Sequence, residues 1–166
     1  MVYEYCPHDL YGINLSEDVR FSEPQIKSFM KQILEGILEF HSKDFIHRDL
    51  KTSNILLDTD GTVKICDFGL SKELRKGNLT NNVVTRWYRC PELLLGSTNY
   101  GTEVDMWSIG CILAEFMQRA ALFTGKDDFD QLRVIVDICG TPKDESLWNV
   151  QIKQTKQNNL KQKFEE

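Results

Sequence analysis

The chain has 166 residues, 41% of them apolar, and a formal net charge of −5. That length and apolar share suit one domain around one core. The negative balance argues against a binder of phosphate backbones, so no direct nucleic-acid partner is expected, and no run approaches the ~20 apolar residues of a membrane span.

In chain order, Met1–Cys6 is aromatic and β-prone and reads as a strand or its end, broken by Pro7. Residues 9–15 can form a short helix and 16–21 a loop. Ser22-Glu23-Pro24-Gln25 has the pattern of a helix start: a capping serine, Gln three residues on, and proline in the first turn. Ile26, Phe29, Met30, Ile33, Leu34, Ile37, Leu38 and His41 then recur at helical spacing, predicting an amphipathic helix of about 20 residues. Ile55-Leu56-Leu57 and Val63-Lys64-Ile65-Cys66 flank the turn formers Asp58-Thr59-Asp60-Gly61, a hairpin signal. Residues 67–102 show no sustained period, and an irregular stretch of that length in a compact domain points to function.

From Glu103 to Met117 the sequence is apolar nearly all round, which predicts a helix buried on all sides. Residues 127–139 predict another helix, with Asp127 and Asp128 at its start and Gly140 and Pro142 stopping it. Residues 151–166 are rich in Lys, Gln and Asn and are expected to be a poorly ordered or weakly helical tail. Two β-runs and four or five helices predict a mainly α fold with short β-hairpins. Cys6, Cys66, Cys90, Cys111 and Cys139 show neither CxxC pairing nor clustering with histidine. They fit neither zinc nor a disulfide framework, and read as reduced thiols of a soluble intracellular protein with no signal peptide.

Three motifs carry the chemistry. His47-Arg48-Asp49-Leu50-Lys51-Thr52-Ser53-Asn54 is similar to the catalytic loop of protein kinases, H-R-D-L-x-x-x-N. Asp67-Phe68-Gly69 follows on the far side of the hairpin, and Cys90-Pro91-Glu92 stands where the family has A-P-E. Each tripeptide alone is a weak signal; the three in order are specific. The resemblance implies ATP-dependent transfer to a Ser or Thr hydroxyl. Such transfer asks for positioning and charge neutralisation more than covalent help. Asp49 would accept the hydroxyl proton, and Lys51 would place a cation beside the transferring group. Asn54 and Asp67 would offer hard oxygen ligands to Mg2+. Asp58 and Asp60 read as turn formers, and His47 as a packed structural histidine.

Thr80-Asn81-Asn82-Val83-Val84-Thr85-Arg86-Trp87-Tyr88-Arg89 resembles the activation segment of cyclin-dependent kinases. Mitogen-activated kinases share T-R-W-Y-R but carry tyrosine where this chain has Asn82. The resemblance makes Thr80 a phosphorylation site whose phosphate, with nearly two charges, is held by Arg48 and by Lys72. Many relatives have arginine at the latter position, and lysine cannot make the planar bidentate contact. Thr85 would contact Asp49 and Lys51. Val83, Val84 and Arg89 would accept proline just after the target hydroxyl, implying Ser-Pro or Thr-Pro substrates. Asp105 would hold the catalytic loop's backbone, and Glu92 would be structural.

Met1–Cys6 is similar to the hinge between kinase lobes, with Tyr3 behind the adenine pocket. Glu4, Cys6, Asp9, Leu56 and Asp67 would then bind ATP. The run Ser97–Trp107 is most similar to transcription-type members, which act on RNA polymerase II repeats; nucleus is favoured over cytoplasm, and a cyclin-type subunit is the implied partner. The resemblance covers residues 1–150 as a partial kinase domain and fades after Trp148. No glycine-rich phosphate loop, strand lysine or helix glutamate precedes the hinge. The expectation is therefore a C-terminal lobe without its N-terminal lobe, and Glu92 without its arginine. The alternative is a truncated, inactive kinase that acts as a substrate- or partner-binding module, or a fragment without a role.

Overall fold

The computed structural model describes residues 4–74, 79–81, 83–142 and 156–164. In chain order the elements are β1 (His8–Asp9), α1 (Leu10–Leu15), α2 (Glu23–Ser42), β2 (Phe45–Ile46), β3 (Ile55–Leu57), β4 (Val63–Ile65), β5 (Lys72–Glu73), α3 (Pro91–Leu94), α4 (Glu103–Gln118) and α5 (Asp128–Cys139). The predicted helices over 22–42, 103–117 and 127–139 and the hairpin are present. Strands β1, β2 and β5 lie outside the two predicted β-runs. Of the expected strand at 1–6, residues 4–6 are not strand and Met1–Tyr3 lie outside the described residues; β1 begins after Pro7.

Helix α2 starts as the sequence indicates: the Ser22 N–H donates to Gln25 Oε1 at 2.9 Å. Its inner face buries Phe29, Met30, Ile33 and Ile37. Helix α4 crosses behind it and buries Val104, Ile109, Ile112 and Phe116. Phe29, Phe21 and Phe116 pack edge to face where the helices meet, with centroids 5.1 Å apart for Phe21–Phe29 and 5.9 Å for Phe21–Phe116. Such pairs add stability beyond the area they bury.

The expectation that α4 is covered on all sides fails. Met106, Leu113 and Met117 are 46%, 38% and 54% exposed. Leu113 and Met117 border an apolar groove that runs onto Leu34 and Leu38 of α2, and Met106 lines a second one with Leu160 and Phe164.

Two small antiparallel sheets sit on the other side of α2. One has the order β1-β3-β4, with Asp9 opposite Leu56 and Leu56 opposite Lys64. The other pairs β2 with β5, placing Lys72 opposite Ile46. The segment between Ile46 and β3 thus leaves one sheet and enters the other, and it carries His47–Asn54. Helix α5 is capped by Asp127, whose carboxylate accepts the Asp130 N–H at 2.8 Å. Of the predicted tail, residues 156–164 include a single 3-10 turn, Gln162–Phe164; residues 151–155 and Trp148 lie outside the described residues. No helix among the described residues is long and apolar enough to cross a membrane, and all five cysteines are free.

Candidate active site

The loop after β2 is held from below by one carboxylate. Asp105 in the first turn of α4 is 1% exposed. Its Oδ2 accepts the His47 N–H and its Oδ1 the Arg48 N–H, both at 2.9 Å. His41 Nε2 of α2 lies 2.8 Å from Oδ2. Three elements therefore meet on a buried carboxylate, which is tolerable only because its oxygens are hydrogen-bonded. Arg48 turns through a positive φ of 66°, which re-aims the chain toward Asp49.

Asp49, Lys51, Asn54 and Thr85 converge. Lys51 Nζ donates to Asp49 Oδ2 at 2.8 Å and to Thr85 Oγ1 at 3.1 Å. The Thr85 hydroxyl and N–H donate to Asp49 Oδ1 at 2.9 and 3.1 Å. Asn54 Nδ2 donates to the Asp49 carbonyl at 2.8 Å and to Oδ2 at 3.1 Å. Burial alone would push the Asp49 carboxyl up, but the hydrogen bonds from Lys51 and Thr85 outweigh it and hold the group below the usual carboxylate range. Asp49 is thus a charged, oriented acceptor beside a cation.

His47 is fully buried. Its Nδ1 accepts the Asp49 N–H at 3.3 Å and its Nε2 lies 3.1 Å from the Cys66 carbonyl. Burial pulls its pKa down, only partly offset by Asp105. The ring packs against Phe68 and Phe40. Cys66 also donates its N–H to the Asn54 carbonyl at 3.0 Å, which sets Asp67, the next residue, beside Asn54. Asp67 is left-handed (φ 62°), and its Oδ1 accepts the Gly69 N–H at 3.3 Å.

Arg48 and Thr80 are joined through Tyr100. Arg48 Nη1 donates to the Tyr100 hydroxyl at 3.2 Å, and that hydroxyl donates to the Thr80 carbonyl at 2.5 Å. Arg48 Nε donates to the Leu70 carbonyl at 2.7 Å. Lys72 lies in the strand opposite Ile46, two residues before Arg48.

Val84 is the least expected conformation in the molecule, a β-branched residue at φ 66°, where steric strain costs about 1–3 kcal/mol. Arg89, 8% exposed, sits under it. Arg89 Nε donates to the Val83 carbonyl at 2.9 Å, and Nη2 donates to the Val84 carbonyl at 2.9 Å.

The residues read as a nucleotide pocket are less tightly gathered. Asp9 caps α1, accepting the Gly12 N–H at 2.8 Å, with Leu56 opposite it across β1–β3. Glu4 is exposed and pairs with Lys64 at 2.8 Å; Cys6 is half-buried. Glu92 in α3 has no ion-pair partner among the described residues. Sequence reasoning missed Tyr100, and also Glu115, a 2%-exposed carboxylate that accepts from Tyr88 at 2.6 Å and Thr52 at 3.0 Å. No local pattern marks either residue, since both act on partners distant in sequence.

A carboxylate fixed by a lysine and a threonine, an amide and a second carboxylate one hairpin away, and a buried aspartate bracing the loop thus form one constellation. The pattern that describes the protein kinase domain matches residues 1–165, and the chain belongs to that family. Cyclin-dependent kinase C-1 of Oryza sativa subsp. japonica is 50% identical over 164 residues, 97% of this chain and 31% of that protein. CTD kinase subunit alpha of Saccharomyces cerevisiae is 48% identical over 143 residues, 86% of this chain and 27% of that protein. The crystal structure of the yeast RNA Pol II CTD kinase CTDK-1 complex contains a chain that superimposes with a TM-score of 0.91 at 42% identity, over 97% of this chain and 57% of that one. The chain thus spans about a third of the length of these curated relatives. The relatives it resembles carry the names of cyclin-dependent and CTD kinases.

Proposed function

We propose that these residues are the C-terminal lobe of a cyclin-dependent-type kinase that phosphorylates Ser or Thr followed by proline, with RNA polymerase II C-terminal repeats as the favoured substrate. The observation that carries the reading is the convergence of Lys51 and Thr85 on the two oxygens of Asp49. Asp49 is the group that orients the substrate hydroxyl and takes its proton as the new O–P bond forms and the bond to the leaving ADP breaks. Lys51 neutralises charge beside it. Kinases of this family use ATP with Mg2+, which supplies the phosphoryl group. The donors fit: Asn54 spends its amide N–H on Asp49 and keeps its carbonyl oxygen, and Asp67 adds a carboxylate. One or two such ligands plus phosphate oxygens suit magnesium. Leu56, Asp9 and the backbones of Glu4 and Cys6 form the adenine and ribose side.

Proline specificity follows from Val84. Its carbonyl is committed to Arg89, so a substrate residue after the target hydroxyl finds no acceptor there for an N–H. Proline has no N–H to leave unpaired. Thr80 is the phosphorylation site that orders this segment, with Arg48 and Lys72 as its cationic partners. The name of the yeast RNA Pol II CTD kinase complex supports the polymerase substrate, and those of the plant cyclin-dependent kinases support a cyclin-type partner; a nuclear setting would follow from that substrate.

The test is phosphate transfer from Mg-ATP to a Ser-Pro repeat peptide, beside Asp49→Asn. Loss of a positioned base is worth about a hundredfold or more. Transfer that falls at least that far in the variant is the expected result. Equal background in both would show that this chain alone does not catalyse transfer, which leaves a binding module or a fragment without a role.

A further inference from the structure

Arg89 does not stand alone under Val84. Its Nη1 donates to both oxygens of Asp128, at 3.1 Å each. Asp128 is the first residue of α5, from a different part of the chain. The same carboxylate accepts Arg86 Nε at 2.9 Å, and Arg86 Nη1 donates to the Lys126 carbonyl at 3.0 Å. One carboxylate therefore fixes two arginines of the activation segment.

The geometry fixes what this does. Arg89 is almost fully buried and carries a charge that needs a counter-ion. Asp128 holds Nη1 between its two oxygens while Nε and Nη2 bond carbonyls, so all three guanidinium nitrogens are engaged and the plane cannot turn without breaking a charge-assisted bond. That plane is what points Nε and Nη2 at the carbonyls of Val83 and Val84. A left-handed valine relaxes unless its surroundings over-determine it. Relaxation would free the Val84 carbonyl to accept a substrate N–H.

We propose that Asp128 is a specificity-determining positioning residue: by pinning Arg89 and Arg86 it keeps Val84 left-handed and so sets the preference for proline after the target hydroxyl. This rests on the proline-directed reading above. Asp128 touches no substrate; it acts through Arg89.

The experiment measures binding, so it does not depend on catalysis. Dissociation constants of the purified chain for a fluorescent Ser-Pro peptide and its Ser-Ala counterpart are compared. The unaltered protein should favour Ser-Pro by about tenfold, the low end for a buried donor left unpaired. Asp128→Ala should bring the ratio close to one, mainly by strengthening Ser-Ala relative to Ser-Pro. Asp128→Asn should give an intermediate ratio and Asp128→Glu should restore it. Asp130→Asn, which alters the Arg133 pair on the same helix, should leave the ratio unchanged. Circular dichroism identifies any variant that has unfolded, and the ratio is then read from the milder Asn variant. If Asp128→Ala weakens both peptides equally with the ratio intact, Asp128 is only structural and the proposal is overturned while proline direction stands. If the unaltered protein shows no preference, proline direction itself fails and the proposal falls with it.

Discussion

Helices α2 and α4 bring Ile33, Ile37, Val104 and Ile112 to 0–2% exposure on regular helical backbone. The loops around Asp49 instead bury His47, Asp49, Thr52 and Asn54, and hold Arg48, Asp67 and Val84 at positive φ. The first region is stabilised by many interchangeable apolar contacts. The second depends on single hydrogen bonds, each with one geometry. Strain and buried polarity gather where a reaction needs fixed groups, and the apolar pair supplies the rigidity that holds them there.

The contrast can be broken most severely at Asp105, where the two regions meet. Asp105→Ala leaves two buried backbone N–H groups and His41 without their acceptor. It should cost about 3–5 kcal/mol in urea unfolding and move the amide NMR signals of His47 and Arg48. Ile112→Ala, fully buried in the same helix, should cost about 2–5 kcal/mol while leaving those signals in place. Similar losses of stability with similar shifts in both variants would erase the distinction drawn between the regions.

A smaller effect sharpens the comparison through pH. Burial raises the Glu115 carboxyl above its ordinary 4.5, partly opposed by the bonds from Tyr88 and Thr52. A carboxyl that binds its proton more tightly when folded favours the native state at low pH, and that advantage is lost as pH rises above the ordinary value. The contribution of Glu115 to stability should therefore fall as pH rises above 4.5. Glu115→Gln should lack that part of the slope in denaturant titrations across the range. A slope unchanged by the substitution would place the pH dependence elsewhere. The smallest effect is expected at the solvent-exposed Lys27–Glu23 pair of α2. Lys27→Ala should leave the unfolding midpoint where it was, because exposed pairs of this kind are screened.

Sequence pattern resolved the first region better than the second, with two instructive gaps. The capping serine, Gln25 and the helical spacing after Ile26 defined α2 almost to the residue, and the turn formers at 58–61 defined the hairpin. Strands of two residues, such as β1, β2 and β5, are too short to have a period. An all-round apolar α4 could not reveal that Met106, Leu113 and Met117 would stay partly exposed along grooves. In the loops, the motif Asp49, Lys51 and Asn54 was legible because function fixes residue type and spacing together. Asp128, Tyr100 and Glu115 were not, since each acts across a long stretch of chain on partners that no local signal names.

His47 carries a consequence for the response to acid. Its ring spans from the Asp49 N–H on one side to the Cys66 carbonyl beside Asp67 on the other, and burial lowers its pKa below the ordinary 6.5. It works as an insulating spacer whose width is that of an imidazole. It is harder to charge than a solvent-facing imidazole. The gap between the two segments that carry the acidic groups is set by that width, as a gauge block keeps its length while the workshop around it warms and cools.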